Sequence, residues 1–277
     1  KQKAREKDLV PSVMIFEPQP LEFFSKDKHP ARIYSLRDKL QALEVLGVKL
    51  VFCMKFNQSF ASMDPNQYVI DLLHDKLGVK SVTVGSLFTF GKGGAYTIED
   101  IKRVGATVGI EASAIDGVLL NNERISSTKI REYLSKGQLD LAKQALGRYY
   151  SMSGIVVHGN QIGRTLGFPT ANVNINRKVT PLTGVYAVKV LTKSGIYNGM
   201  ANVGYRPTVV TGQKNALLEV NLFDFNKDLY AQSIRVFFIE KIRDEVKFNN
   251  LEVLKEQLLH DRNCAKEFFD KHPLAEF

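Results

Sequence analysis

Apolar and polar residues follow one rhythm through the first half of this chain and another through the second. In the first half, short apolar runs alternate with stretches of helical spacing. Residues 12–16, the β-branched and aromatic run 48–56, and 79–85 read as strands. Between them Ser35 caps a helix carrying Leu36, Leu40 and Leu43 that stops near Gly47. Asp64-Pro65 is a cap followed by proline at the first helical position, and Val69, Leu72, Leu73 and Leu77 repeat at helical spacing before Gly78. Thr97 caps a further helix, Ser127-Thr128 opens another, and 139–146 is a short one. Such alternation predicts a parallel sheet with helices on its faces, with ligands gathered at the carboxyl ends of the strands. The second half is strand-like over 185–191, 196–203, 217–225 and 234–239, with turns and no helix between, which predicts an antiparallel barrel or sandwich. Helical spacing returns over 249–259 through Leu251, Leu254 and Leu258, giving a C-terminal helix to cover an open barrel face. The boundary falls near 147–149, dividing the chain into 1–148 and 149–277.

Composition narrows the class. The 277 residues suffice for two domains, and 44% hydrophobic with 24% charged residues describes a soluble globular protein. No apolar run approaches membrane-spanning length, and no charged-then-apolar leader opens the chain, so no membrane partner is expected. Cys53 and Cys264 are the only cysteines and lack metal-ligand spacing, which fits idle thiols in a reducing cytoplasm. The net charge of +9 is spread evenly, with 22 Lys and Arg against 17 Asp and Glu in 1–148 and 16 against 12 in 149–277. There is no Trp and no basic arm, so polyanionic small ligands such as ATP account for the bias and no nucleic-acid partner is expected. Oligomeric state leaves no mark on the sequence.

The densest chemistry is Gly159-Asn-Gln-Ile-Gly-Arg-Thr-Leu-Gly-Phe-Pro-Thr-Ala-Asn172. Gly159, Gly163 and Gly167 permit close backbone approach and positive φ. Arg164 offers a fork of donors to phosphate, Pro169 stiffens the exit, and Thr170 and Asn172 supply neutral oxygens. A magnesium-nucleotide site and a glycine-turned barrel corner both fit this pattern. A P-loop does not: only three residues separate Gly159 from Gly163, Arg164 stands where Lys is required, and Pro169 interrupts any following helix. In Leu218-Glu-Val-Asn-Leu222, period two puts Glu219 and Asn221 opposite the apolar face, where the carboxylate can reach an alcohol bound across the barrel; by pattern alone it is also an ordinary solvated strand glutamate. Ser126-Ser-Thr-Lys-Ile-Arg131 sets hydroxyls and amides at a helix start with Arg131 one turn on, which makes either an anion pocket or a plain cap.

The glycine-rich stretch resembles the nucleotide loop of riboflavin kinases. The resemblance continues through Gly184-Val-Tyr-Ala187, Ala201-Asn-Val-Gly204, Arg206-Pro-Thr208, 218–225 and Ile242-Arg-Asp-Glu245, and in the first half through Phe16-Glu-Pro-Gln-Pro20 and 125–131. Together these are similar to the bacterial bifunctional riboflavin kinase/FMN adenylyltransferase family over nearly the whole chain. The resemblance implies a Rossmann-like α/β nucleotidyltransferase domain with a parallel sheet, then an antiparallel β-barrel kinase domain with a C-terminal helix. It implies ATP-dependent phosphorylation of riboflavin to FMN and adenylylation of FMN to FAD, with magnesium as cofactor. On that basis Glu219 is the base for the ribityl hydroxyl, and Thr170 and Asn172 hold magnesium. Gly159, Gly163, Arg164, Gly167, Pro169 and Thr170 bind nucleotide in the kinase half, as Ser127, Thr128 and Arg131 do in the adenylylating half. Flavin contacts fall on Phe16, Pro18, Asn221, Arg235, Arg243 and Glu245. Asn221 stands where many relatives carry His, and an amide does not titrate. Arg235, Lys241, Arg243 and Glu245 are placed after the last strand, as a flap over the ligands or as plain surface charges.

Two departures qualify the first half. The family opens with a strand and a Gly-x-Phe-Asp-Gly-x-His-x-Gly-His stretch, whereas this chain starts at Lys1-Gln-Lys-Ala, inside what resembles the following helix, and none of its five histidines stands in that pattern. The expectation is that the natural protein possesses this piece, because a parallel sheet shorn of its first strand exposes an unpaired seam. Leu87 occupies a loop position where Asp or Asn is usual, and its side chain accepts and coordinates nothing. The alternative is a riboflavin kinase joined to a degenerate, non-catalytic module.

Overall fold

The computed structural model describes residues 1–25, 29–159, 163, 166–207 and 214–273, with two compact units. One unit comprises Lys1–Pro30 and Leu40–Ile125, the other Ala31–Lys39 and Ser126–Phe277. In the first, β1 (Ser12–Glu17) pairs in parallel with β2 (Leu50–Lys55), and β3 (Ser81–Gly85) in parallel with β4 (Glu111–Ile115). Parallel neighbours need crossovers, and the expected helices supply them. Gln67–Lys76 is wound with i→i+5 bonds such as Leu77 N to Leu72 O (3.1 Å). Helix Ile98–Thr107 starts on a capping box in which Thr97 Oγ1 accepts from Glu99 N (3.3 Å) and Asp100 Oδ2 accepts from Thr97 N (3.0 Å). Val69 and Leu73 of one helix and Ile101 and Val104 of the other form the core, with Met14, Met54, Val82 and Ala112 of the four strands packed against it.

The second unit is a closed six-stranded barrel, which decides between barrel and sandwich. Its strands are β5 (Ser151–Val157), β6 (Ala171–Asn174), β7 (Gly184–Thr192), β8 (Gly195–Pro207), β9 (Lys214–Leu222) and β10 (Ser233–Arg243), in the order β6-β9-β8-β7-β10-β5, antiparallel throughout. Closure leaves no edge to aggregate. Alternate residues fill the interior: Met152, Tyr186, Val188, Val203, Leu218, Val220, Val236 and Phe238 are all sealed from solvent. Each such burial contributes ~1.5–3 kcal/mol. The opposite parity makes a second layer outside the wall, where Ala187, Met200 and Ile239 pack with Ala265 and Phe269 of the C-terminal helix, Leu251–Lys271.

Two expectations change. β10 runs on to Arg243, so Arg235, Lys241 and Arg243 lie within the last strand rather than after it; register shifts at Val185/Tyr186 and Ala187/Val188 let pairing with β7 continue. β4, β5 and β6 are additional strands. The helices Ser127–Ser135 and Leu139–Leu146 and the segment 31–39 group with the barrel in one compact unit. Polar contacts explain the grouping of that segment. Arg177 is buried and donates to Arg32 O (2.9 Å), Asp38 Oδ2 (3.3 Å) and the Tyr150 hydroxyl (3.0 Å), while Arg131 Nε donates to Ala31 O (2.6 Å). Burial pushes the Tyr150 phenol up to about 12, so it stays a neutral partner for Arg177.

Candidate active site

The site grows from the period-two pattern of β9. Leu218 and Val220 close the barrel interior, which turns Leu217, Glu219 and Asn221 to the outer face. In register, Glu219 lies opposite Asn172 of β6 on one side and Asn202 of β8 on the other. Cross-strand partners share a face, so these three polar side chains form one row. They line a cavity of about 290 Å³. Its roof comes from Leu254, Leu258 and Asp261, one face of the C-terminal helix at i, i+4 and i+7, and from 243–248. The pocket therefore lies between barrel wall and helix, rather than across the barrel interior.

Asn172 is the most constrained member. It is buried, and among the described residues its Oδ1 accepts no hydrogen bond. Its amide sits so close to Gly159 that a Cβ there would overlap it. Gly163, Leu166 and Thr170 also line the cavity. Here the loop folds on itself, for Gly163 O accepts from Leu166 N (3.2 Å) and Phe168 N (2.7 Å), and a Cβ on Gly163 would meet the Phe168 carbonyl and come within 3.2 Å of Thr170 Oγ1. Gly167 has φ +83°, the left-handed conformation that favours glycine. Gly167 and Pro169 stand behind the lining residues; the Pro169 carbonyl accepts from Asn221 Nδ2 (2.8 Å), which ties the loop to β9. Arg164, with 160–162 and 165, lies outside the described residues.

Charged groups border the pocket. Arg243 lines it and makes a forked ion pair with Asp261: Nε donates to Oδ1 (2.9 Å) and Oδ2 (3.1 Å), and Nη2 to Oδ2 (2.7 Å). Glu245 also lines the pocket, its carboxylate seated where a Cβ on Gly204 would stand. Arg235 is not among the lining residues; its Nε donates to Ser153 Oγ (3.2 Å) on β5. Sequence reasoning missed Asn202, Phe248 and Asp261. Asn202 belongs to a string already noted for resemblance, and Asp261 follows Leu254 and Leu258 on one helical stripe, so a signal existed for both.

The residues that the resemblance implies for adenylylation lie apart from this cavity's lining. Ser126, rather than Ser127 or Thr128, caps its helix by accepting from Lys129 N (3.2 Å); Ser127 and Thr128 form the exposed first turn, and Arg131 is tethered to Ala31 O. In the other unit Phe16 packs edge-on against Phe56 (5.6 Å) and Phe60 (5.0 Å), Pro18 is exposed just beyond β1, and Leu87 is 73% exposed beyond the carboxyl end of β3.

Comparison with known proteins identifies the family of both halves. The riboflavin kinase family model matches residues 146–269, and the FAD synthetase family model matches 1–129. The chain is 42% identical over 271 residues to the bifunctional riboflavin kinase/FMN adenylyltransferase of Haemophilus influenzae, covering 98% of this chain and 87% of that protein. It is likewise 42% identical over 269 residues to the Escherichia coli protein of the same name, covering 97% and 85%. A solved structure described as a macrolide-efflux protein from Streptococcus pneumoniae superposes with TM-score 0.76 at 31% identity, covering 94% of this chain and 84% of that one. That description belongs to that protein; among the described residues here, no helix is long and apolar enough to cross a membrane. With both halves matched and relatives similar from end to end, this chain belongs to the bifunctional riboflavin kinase/FMN adenylyltransferase family.

Proposed function

We propose that the chain transfers the γ-phosphoryl group of ATP to riboflavin in its 149–277 half, and adenylylates the resulting FMN to FAD, with release of pyrophosphate, in its 1–148 half. The observation that carries the kinase reading is the row Asn172–Glu219–Asn202 lining one cavity, with the Asn172 acceptor left without a donor among the described residues. Phosphoryl transfer asks a protein for positioning and charge neutralisation more than for covalent chemistry. Glu219 takes the proton from the terminal ribityl hydroxyl as that oxygen attacks the γ-phosphorus and ADP departs. Asn202 and Asn221 flank the alcohol with neutral amides, and the C-terminal helix excludes water that would compete as acceptor.

A magnesium ion fits the residues present. Magnesium binds oxygen, keeps most of its waters and needs few protein ligands. Among the described residues Asn172 Oδ1 is a buried acceptor without a donor, and Thr170 lines the same cavity. The side-chain oxygens of these two residues would hold the ion, which supplies charge neutralisation at the phosphates when bound. Gly159 and Gly163 give it room by keeping Cβ atoms out of the Asn172 amide and the loop carbonyl. In the other half, Ser127, Thr128 and Arg131 would take the triphosphate and Phe16 and Pro18 the flavin. Cys53 and Cys264 are both free thiols, which suits a cytoplasmic setting.

Incubating the protein with riboflavin, ATP and magnesium, and separating the products chromatographically, tests both steps. FMN followed by FAD is expected. No FMN would refute the kinase reading, and FMN without FAD would leave the first half without its proposed activity.

A further inference from the structure

Asp261 is a carboxylate on the C-terminal helix with a side chain 0% exposed, and its partner Arg243 is 20% exposed at the cavity wall. A carboxylate so buried is tolerable only when matched by charge and saturated with hydrogen bonds. Here both conditions hold. Arg243 contributes the fork, and Gln257, one turn earlier on the helix, donates from Nε2 to Oδ1 (2.8 Å). Arg243 Nη1 donates to Asp244 O (2.9 Å), and the guanidinium lies 5.5 Å from the Phe248 ring centre. Of the five N–H donors in a guanidinium, one on Nη1 and one on Nη2 remain for a ligand.

We propose that Asp261, supported by Gln257, is a positioning residue of the kinase half that holds Arg243 in one orientation for the neutral flavin ring. The inference rests on the kinase function proposed above. A guanidinium whose charge is already matched offers directed donors to ring carbonyls without acting as a free cation for phosphate. Released from Asp261, the same side chain is a mobile cation, better suited to the triphosphate than to a neutral heterocycle. The specificity of the pocket for flavin at this wall is thus set from the C-terminal helix, through a residue that need not touch the flavin.

Steady-state kinetics on the full chain, with riboflavin and ATP varied in turn, provide the test. Asp261→Asn keeps the volume and removes the charge; loss of a charge-assisted bond predicts a rise in riboflavin KM of about tenfold or more, with kcat and ATP KM changed less than about threefold. Arg243→Lys, which cannot form the fork, should show the same split. The double variant should be no worse than the poorer single variant, because the two residues act as one unit. Should Asp261→Asn fail to fold, Gln257→Met takes its place, with a smaller rise in riboflavin KM expected. A melting temperature lowered while riboflavin KM stays at the wild-type value would overturn the inference, as would additive effects in the double variant. Absence of FMN formation by the unmodified protein would instead overturn the kinase function itself, so the two failures are separable.

Discussion

An amide oxygen sealed from water with no donor costs about 1–3 kcal/mol, a cost that a bound ligand can offset. Among the described residues Asn172 Oδ1 is in that state, next to a carboxylate in the adjoining strand. On the proposed reading a cation there would turn the cost into a ligand bond, with the neighbouring Glu219 acting as base. Removing the base while keeping its shape isolates that role. Glu219→Gln should lower kcat by about 10²–10⁴, the usual share of general base catalysis, with riboflavin KM changed only a fewfold. Stopped assays at saturating riboflavin would show it, and a purely KM effect would remove Glu219 from the chemistry. Gly159 tests the oxygen ligand from the other side. Its missing side chain makes room for the Asn172 amide, so Gly159→Ala must push that amide out of place. The expected outcome is a magnesium titration, at fixed ATP, displaced about tenfold or more to higher concentration, since a fraction of an ångström at a ligand is worth a kcal/mol or more. An unchanged titration would mean that Asn172 is not a ligand.

Local signals placed the elements where one periodicity ran uninterrupted. β9 was legible because 217–222 alternates cleanly and bulky apolar residues occupy every interior position, and helix Ile98–Thr107 was legible from its cap. That cap permits a pH test. The Thr97 backbone N–H, then Arg103, hold the Asp100 carboxyl below its usual range. A depressed folded-state pKa contributes stability above the unfolded value, and the contribution fades as pH falls through the folded value. The gap in melting temperature between the wild type and Asp100→Asn should therefore be full at neutral pH and shrink below about pH 4. A gap independent of pH would show that the carboxylate charge plays no part in the cap. Elements went unread where function or distant contacts broke the pattern. β6 is four residues long and sits inside the glycine-rich site, so its strand character was hidden by turn chemistry. The C-terminal helix was read as ending at 259 because Asp261 breaks its apolar stripe; with Arg243 as partner that position is buried, and the stripe continues to Ala265 and Phe269. Segment 31–39 owes its place to Arg177, whose bond to Asp38 spans 139 residues of sequence. No local signal announces a contact of that kind.

At the scale of the whole molecule, the cavity proposed for the kinase reaction is lined, among the described residues, only by those of the barrel unit. Every residue proposed for phosphoryl transfer is drawn from 159–261, and none from the first unit. A product made there, FMN, is the substrate of the other proposed reaction, so the two activities are linked by a diffusible or transferred intermediate rather than by shared catalytic groups. Separate chemistry predicts separate loss. Glu219→Gln supplied with riboflavin and ATP should make FMN, and therefore FAD, at a rate lowered by the same factor as kcat, because the intermediate forms that much more slowly. The same variant supplied with FMN and ATP should make FAD within about twofold of the unmodified rate, since a change confined to an independent set of catalytic groups leaves the second transition state untouched. Chromatographic separation of flavins over time distinguishes the two conditions in one preparation, which also controls for folding. If FAD formation from FMN fell in step with kinase activity, Glu219 would have to act in both reactions, and the division of chemistry between the halves would be wrong.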